Sequence, residues 1–273
     1  MINVDLKMPE SWDQLSREQL LYVCRLFNLN LSELKFKAWV FIKFTGIKPL
    51  PKKVFSDHVY YFFRKKNTRF FLTADEFHWF SDSANFLLSE SKLTKNNFPV
   101  FRILWKRFFG PSNCCYDISV MEFLVAERMI DAFHKTNQLK YLHLLCAILY
   151  RRQSRAHRPN TSNYNGDRRK PFNDYTFEKR ERWFCLLPVS KLFAVYVFFT
   201  GCRNLLIEKH PYLFNTQNVS SEPVNHAEIL KQVMVALNQG DLTKNKVIRQ
   251  TQIWEAFGHL NELAKQAQKV KKA

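Results

Sequence analysis

The sequence predicts a mainly α-helical, multi-helix globular protein with one small β-hairpin near residues 59–72. Two observations indicate helices: Ser/Thr-x-x-Glu/Gln capping boxes stand before apolar stretches, and those stretches repeat with helical period. A third observation argues against an all-β sandwich or barrel, because only 6 of the 273 residues are Gly and tight turns with positive φ are therefore scarce. A hydrophobic content of 46%, with 26 Phe, predicts a sizeable core.

Capping boxes mark the predicted helix starts in chain order. They open at Ser16, Thr73 and Ser119, with a weaker form at Asn225, and each has Glu or Gln three residues later. In such a box the first side chain accepts a hydrogen bond from the third residue's backbone, while the Glu or Gln reaches back. The first three boxes also have an apolar residue on each side, at the positions of a hydrophobic staple.

Apolar residues at helical spacing follow these starts. The stripes begin at Leu20, Phe123, Leu139, Leu192, Ile229 and Ile253. Pro188 suits the first turn of the fourth helix, and that helix is expected to end before Pro211. From these stripes we expect seven residues to be largely buried: Leu20, Phe27, Phe123, Ile130, Leu145, Phe198 and Trp254.

The hairpin is predicted from two aromatic runs, Val59–Phe63 and Phe70–Leu72, which a basic loop joins.

Polar segments that are poor in apolar residues suggest the domain organisation. We predict a main domain over 1–214, with the hairpin and a basic loop at 151–172. A C-terminal helical pair over 224–273 would follow and could pack on that domain.

The formal charge of +18 and the pI near 9.7 favour anionic partners, since long-range attraction draws them to a basic surface. The first residues lack the apolar core of a signal peptide. Four of the six Cys lie in apolar helical patterns and are therefore expected to be reduced and mostly buried in a cytoplasmic protein: Cys24, Cys146, Cys185 and Cys202. Leu192–Cys202 is too short an apolar run to span a bilayer, so we expect no membrane span.

Motifs for catalysis are absent from the sequence. No phosphate-binding glycine loop or nucleophile motif occurs, and no paired Cys spacing indicates a zinc site. His143 and Cys146 stand three residues apart on a predicted helix, but packing within the helix explains both more simply. We expect that the protein is not an enzyme and that it binds no cofactor and no metal. A polar pocket around His143 would make the hypothesis of an enzyme worth considering again.

Basic residues alternate with aromatic ones in three stretches: "LKFKAWVFIKF", "YYFFRKKNTRFF" and "FRILWKRFFG". Aromatic rings can stack bases while cations hold phosphates. Alternatively, the rings face the core and the long basic side chains cover them. The candidate nucleic-acid contacts are in the second stretch: Arg64, Lys65, Lys66 and Arg69.

A second basic segment runs from Arg151 to Trp183 and holds ten Lys/Arg but four Asp/Glu. Its first part lacks helical periodicity, so it cannot be a DNA-recognition helix. We predict that 151–172 is an exposed, irregular loop with outward guanidinium groups that could clamp an acidic partner or a polyanion. Its candidate anion-binding residues are Arg151, Arg152, Arg155, Arg158, Arg168, Arg169 and Lys170.

Several stretches in order resemble a known family: "MPESWDQLSREQLLYVCRLF", "LTKNNFP", "AILYRR", "GDRRKPFNDY", "LPVSKLFAVYVFFTGCRNLL" and "HPYLF", with "ILKQVMVALNQGDLTKNKVIRQTQIWEAFGHLNEL" near the C-terminus. The chain resembles poorly characterised phage and prophage proteins encoded near tail genes, which are similar to tail assembly chaperones. The resemblance implies a non-enzymatic role in virion morphogenesis, inside a bacterial host or associated with the virion. The implied partner is a phage structural protein or another acidic protein surface, and the strong positive charge leaves nucleic-acid binding as the alternative.

Overall fold

The computed structural model describes residues 6–29, 31–51, 53–55, 58–154, 167–214 and 245–272. The prediction of a mainly α-helical protein is confirmed. The chain forms two compact units, Met1–Lys92 and Leu93–Ala273. We call these the N-terminal and C-terminal units. This boundary differs from the predicted division into 1–214 and 224–273.

The N-terminal unit combines three helices with a small sheet. The helices are α1 (Arg17–Leu26), α2 (Glu33–Thr45) and α3 (Ala74–Ser81), and the strands are β1 (Lys48–Pro49), β2 (Lys53–Phe55), β3 (His58–Lys65) and β4 (Thr68–Thr73). The predicted capping boxes at Ser16 and Thr73 are both confirmed. Helix α2 ends at Gly46, whose φ of 69° is a left-handed conformation that glycine adopts without strain.

The predicted hairpin is the centre of that sheet. Strand β3 pairs antiparallel with β4 along one edge, while β2 and β1 pair with successive parts of its other edge. One sheet face packs on helices α2 and α3, around a buried cluster of Phe41, Ile47, Phe63, Leu72 and Phe77. The opposite face is therefore free of this core.

The C-terminal unit begins with a second hairpin, which the sequence analysis did not predict. It consists of β5 (Val100–Ile103) and β6 (Lys106–Phe109). The helices that follow are α4 (Val120–Thr136), α5 (Leu139–Leu149), α6 (Glu178–Phe184), α7 (Val189–Lys209), α8 (Pro211–Phe214), α9 (Asn245–Gln250) and α10 (Ile253–Lys272). Helices α4, α5 and α7 supply most of the fully buried side chains of this unit.

The C-terminal helices are part of this unit. The Ile253 N–H donates to the Ile118 carbonyl at 3.0 Å, and the Val120 N–H donates to the Thr251 carbonyl at 2.9 Å. These bonds join the start of α10 to the start of α4. The predicted cap at Asn225 and the stripe that begins at Ile229 lie outside the described residues.

Helix α7 is the longest helix among the described residues. Pro188 is its N-cap, directly before Val189, and not a residue of the first turn as predicted. The helix is long and apolar enough to cross a membrane, but 56% of that window is buried inside the protein. At Gly201 the backbone of Leu93 lies directly against the helix, so that a Cβ at position 201 would clash with it. Leu93 is itself fully buried.

Five of the seven residues expected in the core are buried: Leu20, Phe123, Ile130, Leu145 and Phe198. Phe27 and Trp254 are half-buried instead. Phe27 stacks on Phe36, and the indole N–H of Trp254 donates to the Cys114 carbonyl. All six Cys are free, and Cys185 is exposed, contrary to its expected burial.

A buried ionic network holds the middle of the C-terminal unit. Glu122, in the first turn of α4, is 1% exposed, and its carboxylate pairs with Arg151 at 2.6 Å and with Arg169 at 2.8 Å. Ser119 caps α4 by accepting from the Glu122 N–H at 3.2 Å. The reciprocal half of the predicted capping box is replaced here, because the two arginines occupy the Glu122 carboxylate.

The two guanidinium groups also bind backbone carbonyls. Arg151 donates to Ile148 and Lys170 carbonyls, and Arg169 donates to the Leu149 carbonyl at 3.0 Å. Burial lowers the pKa of Arg151. For Arg169, burial acts in the same direction, but the charges of Glu122, Asp117 and Asp167 outweigh it and raise the pKa. Both guanidinium groups are therefore held as paired cations.

Backbone hydrogen bonds next to Arg151 and Arg169 join the two ends of the basic segment. The Ser154 N–H donates to the Arg168 carbonyl at 3.0 Å, and the Lys170 N–H donates to the Arg152 carbonyl at 2.9 Å. Arg151 also pairs with Phe109 of β6 in both directions. The two segments that flank residues 155–166 therefore extend the ladder of the second hairpin.

The prediction that 151–172 is exposed with outward guanidinium groups is wrong for Arg151 and Arg169, which are each 2% exposed. The physical reason is the carboxylate of Glu122, which is distant in sequence but makes their burial favourable. Arg152, Arg168 and Lys170 are exposed. Arg155 and Arg158 lie outside the described residues.

Replacing Arg169 with Ser should lower the free energy of unfolding by about 3–5 kcal/mol, because it removes one of the two guanidinium partners of the buried Glu122 carboxylate. The neighbouring exposed Arg168 is the matched control, and Arg168→Ser should change the stability by less than about 0.5 kcal/mol. Urea unfolding of both variants measures the difference. Equal, small effects would contradict the network described above.

A second buried carboxylate has weaker pairing. Glu127 of α4 is 1% exposed and lies 3.5 Å from Arg203, and its Oε1 has no hydrogen-bond partner within the described parts of the chain. Burial raises the pKa of Glu127 from 4.5 to about 7, against the opposing effect of Arg203. Between these two pH values the folded protein binds a proton that the unfolded chain has lost.

This difference predicts that Glu127 lowers stability as pH rises from about 4.5 to about 7. The Glu127→Gln variant lacks this titration. Its stability relative to the parent protein should therefore increase between pH 5 and pH 8, by about 2.5 kcal/mol. Urea unfolding of both proteins at the two pH values measures this change. A constant difference would show that Glu127 titrates normally.

Candidate nucleic-acid interface

The open face of the N-terminal sheet is the candidate site, and the alternation of side chains along β3 and β4 creates it. Successive residues of a strand point to opposite faces. Phe63 and Leu72 therefore point to the core, whereas Phe62, Arg64 and Phe71 point away from it. An aromatic, basic stretch such as "YYFFRKK" is thereby divided into a core face and an outer face.

Among the side chains that the structure describes, three aromatic rings lie on the outer face. Phe62 and Phe71 are directly opposite each other in the β3–β4 register, with ring centroids 5.9 Å apart. Tyr60 lies on the same face, and its ring centroid is 5.4 Å from that of Phe71. The Phe71 side chain is 53% exposed, and the other two are half-buried. The three rings form a connected aromatic surface that solvent reaches.

A row of cations crosses the sheet beside these rings. Lys48 of β1 is opposite Arg64 of β3, which in turn is opposite Arg69 of β4. Directly opposite residues share a face of the sheet, and neighbouring strands are about 4.8 Å apart, so the row spans about 10 Å. All three residues are exposed, and none forms an ion pair with a described residue. We call Lys48, Arg64 and Arg69 the cation row.

The cation row has an electrostatic consequence. Like charges directly opposite each other in a sheet are destabilising. A bound anion removes that repulsion by bridging the cations. The row therefore favours a ligand with closely spaced negative charges.

The β3–β4 turn extends this basic surface. Lys66 and Asn67 are exposed at its tip, and Lys66 has a φ of 51°. A non-glycine residue in the left-handed region is uncommon. Of the predicted contacts, the structure therefore places Arg64 and Arg69 on the outer face and Lys66 in the turn next to them. Lys65 is half-buried and points to the other face.

The other two basic aromatic stretches behave differently. In α2, Phe36 and Phe41 are buried, and Lys37 is also buried, where it pairs with Glu33 and Asp82. The alternative interpretation, rings in the core, therefore holds for those residues. In the second hairpin, Arg102 lies opposite Arg107 and Trp105 is 79% exposed at the turn.

The predicted anion-binding set in the basic segment is not brought together as one surface. Arg151 and Arg169 are buried in ion pairs with Glu122, while Arg152, Arg168 and Lys170 are exposed. Sequence reasoning missed Lys48, Tyr60, Phe62 and Phe71 as members of one site. Only the pairing of β1 and β4 with β3 reveals that they share a face.

No family model, curated protein or solved structure matches this chain. Function must therefore be argued from the geometry and electrostatics of its own residues.

Proposed function

We propose that this protein binds single-stranded nucleic acid through the open face of its N-terminal sheet. The observation that carries this proposal is the cation row of Lys48, Arg64 and Arg69 beside the exposed ring of Phe71 and the half-buried ring of Phe62. Proteins that bind single strands combine a basic track for the phosphates with aromatic side chains on which bases stack. Both components occur here on one face.

The arrangement favours unpaired bases over a duplex. In a double helix the base faces are stacked on one another, so rings on a sheet cannot reach them. A single strand can turn its bases toward the rings while its phosphates remain beside the cation row. The net charge of +18 adds long-range attraction that accelerates the encounter.

The aromatic part of the proposal predicts that Phe71→Ala weakens binding to a fluorescent single-stranded oligonucleotide. Loss of one stacked base corresponds to about 1–3 kcal/mol, or roughly 5- to 150-fold in Kd. Trp79 is the matched control, because it is 71% exposed in the same unit but lies on α3. Fluorescence anisotropy measures both. Equal losses in Phe71→Ala and Trp79→Ala would contradict stacking at this face.

The cation row predicts a change in salt dependence. Each phosphate contact on a single strand contributes about 0.7 to the slope of log K against log salt concentration. Arg64→Ser combined with Arg69→Ser should therefore reduce the slope by about 1.4. Arg152→Ser combined with Arg168→Ser removes the same charge elsewhere and should leave the slope nearly unchanged. The absence of any binding at low salt would exclude the proposed function.

Virion morphogenesis through protein contacts is the second proposal. The observation that favours it is an exposed apolar turn in the second hairpin, where Leu104 is 64% and Trp105 is 79% exposed. Large exposed apolar side chains that lie together are typical of protein-binding surfaces. Arg102 and Arg107 flank this turn and suit the acidic partner that the resemblance implies. This role is non-enzymatic and belongs to the cytoplasm of a bacterial host or to the virion.

Two observations test the second proposal. The gene should lie within a phage structural cluster, and the purified protein should bind the product of a neighbouring structural gene. Trp105→Ala should then weaken this binding, whereas Tyr175→Ala, a change at a side chain that is 84% exposed, should not. A gene far from any such cluster would count heavily against it.

A further inference from the structure

Three side chains with metal-binding atoms meet on the surface of the C-terminal unit. His143 lies on α5, Glu181 lies on α6 and Cys185 follows the last turn of α6. The Cys185 Sγ is 3.7 Å from the His143 Nδ1, and one ligand atom from each of the three residues lies within 4.8 Å of the others. His143 and Glu181 are half-buried, and Cys185 is exposed.

The helices explain why the three residues meet. Glu181 and Cys185 are four residues apart, and Cys185 retains helical backbone angles, so both side chains share one face of α6. Helix α6 is held against the end of α5 by Arg180, which donates to the Ala147 carbonyl at 3.1 Å, and by Phe184, whose ring centroid lies 6.4 Å from that of Tyr150. The donor atoms are therefore held by two packed helices.

Cys146, the residue first considered as a partner of His143, is outside this group. It is fully buried on α5, and burial raises the pKa of its thiol. The partner of His143 is instead the Cys185 thiol, 42 residues further along the chain. The combination of imidazole, thiol and carboxylate donors comes from the tertiary structure.

We propose that His143, Glu181 and Cys185 form a binding site for Zn²⁺, with the fourth position open to water. Sulfur, nitrogen and oxygen donors of this kind are the ones that Zn²⁺ takes in proteins, at about 2.0–2.3 Å. Tetrahedral geometry at these bond lengths separates neighbouring ligand atoms by roughly 3.6 Å. The 3.7 Å between Sγ and Nδ1 fits this separation.

Charge and solvent access agree with the site. On binding, the thiol loses its proton to solvent, and the resulting thiolate and the Glu181 carboxylate balance the two charges of Zn²⁺. The imidazole of His143 supplies a neutral nitrogen donor. The exposure of Cys185 gives the ion a path from solvent.

A nucleophilic thiol paired with His143 is the competing interpretation, and the electrostatics oppose it. A reactive cysteine needs a lowered pKa, because the thiolate is the nucleophile. Here the partial desolvation of the thiol by its neighbours, and then the charge of Glu181, raise the pKa of Cys185. The positive charge of a divalent cation would favour the thiolate form of Cys185. The protein without a metal ion favours the neutral thiol.

The experiment adds Co²⁺, and then Zn²⁺, to the full-length protein after treatment with a chelator. We expect one equivalent of Co²⁺ to bind with a thiolate-to-metal charge-transfer band, and Zn²⁺ to displace it. Cys185→Ser should abolish the band, and Glu181→Gln should weaken Zn²⁺ binding by at least about tenfold. Cys114→Ser, a change at another partly exposed thiol, should leave binding unchanged.

A second measurement needs no variant and guards against misfolding. In the unmodified protein, Zn²⁺ should protect Cys185 from alkylation by iodoacetamide, while the modification of Cys114 proceeds at the same rate, as mapped by mass spectrometry. The site is overturned if Zn²⁺ leaves Cys185 unprotected, or if a folded Cys185→Ser variant binds Zn²⁺ as tightly as the parent protein. Neither result depends on nucleic-acid binding by the N-terminal unit.

Discussion

The carboxylate of Glu122 is the interaction on which the C-terminal unit depends. It joins three segments that are far apart in sequence: the start of α4, the end of α5 at Arg151 and the returning chain at Arg169. Without this carboxylate, two guanidinium groups would face each other in a region that water does not reach. The position of the hairpin ladder, which continues from β6 through Arg151, follows from the same contact.

Two groups of cations, the arginines around Glu122 and the cation row, are placed in opposite ways, and this contrast separates a structural role from a proposed functional one. In the C-terminal unit, removal of two guanidinium groups from water is offset by carboxylates and carbonyl oxygens, and such networks fix one arrangement of the chain more than they stabilise it. In the N-terminal unit, Lys48, Arg64 and Arg69 face solvent without such carboxylates among the described residues. Cations of the second kind remain available to a ligand.

Local patterns predicted the helices well, because caps and apolar spacing act within one or two turns. The boxes at Ser16 and Thr73 are complete. The box at Ser119 is only half formed, because the Glu122 carboxylate pairs with Arg151 and Arg169 instead. Composition marked Arg64 and Arg69, which the structure leaves exposed, but misjudged the exposure of Arg151 and Arg169, since no nearby residue reveals a buried carboxylate. The turn at Leu104 and Trp105 lacks the usual Asn-Gly or Asp-Gly pair, so the second hairpin escaped prediction. The placement of Lys48 and Phe71, and of His143 beside Cys185, depends on strand register and helix packing.

The contact between Gly201 and Leu93 determines where the chain can be cut between its two units without uncovering α7. The backbone of Leu93 occupies the space that a side chain on α7 would otherwise fill, although Leu93 is the first residue of its unit. A polypeptide that starts a few residues later would expose a bare strip of α7 around Gly201. A break immediately after Lys92 keeps that strip covered. A chain divided at this point would carry the proposed nucleic-acid interface on one half and the proposed Zn²⁺ site on the other.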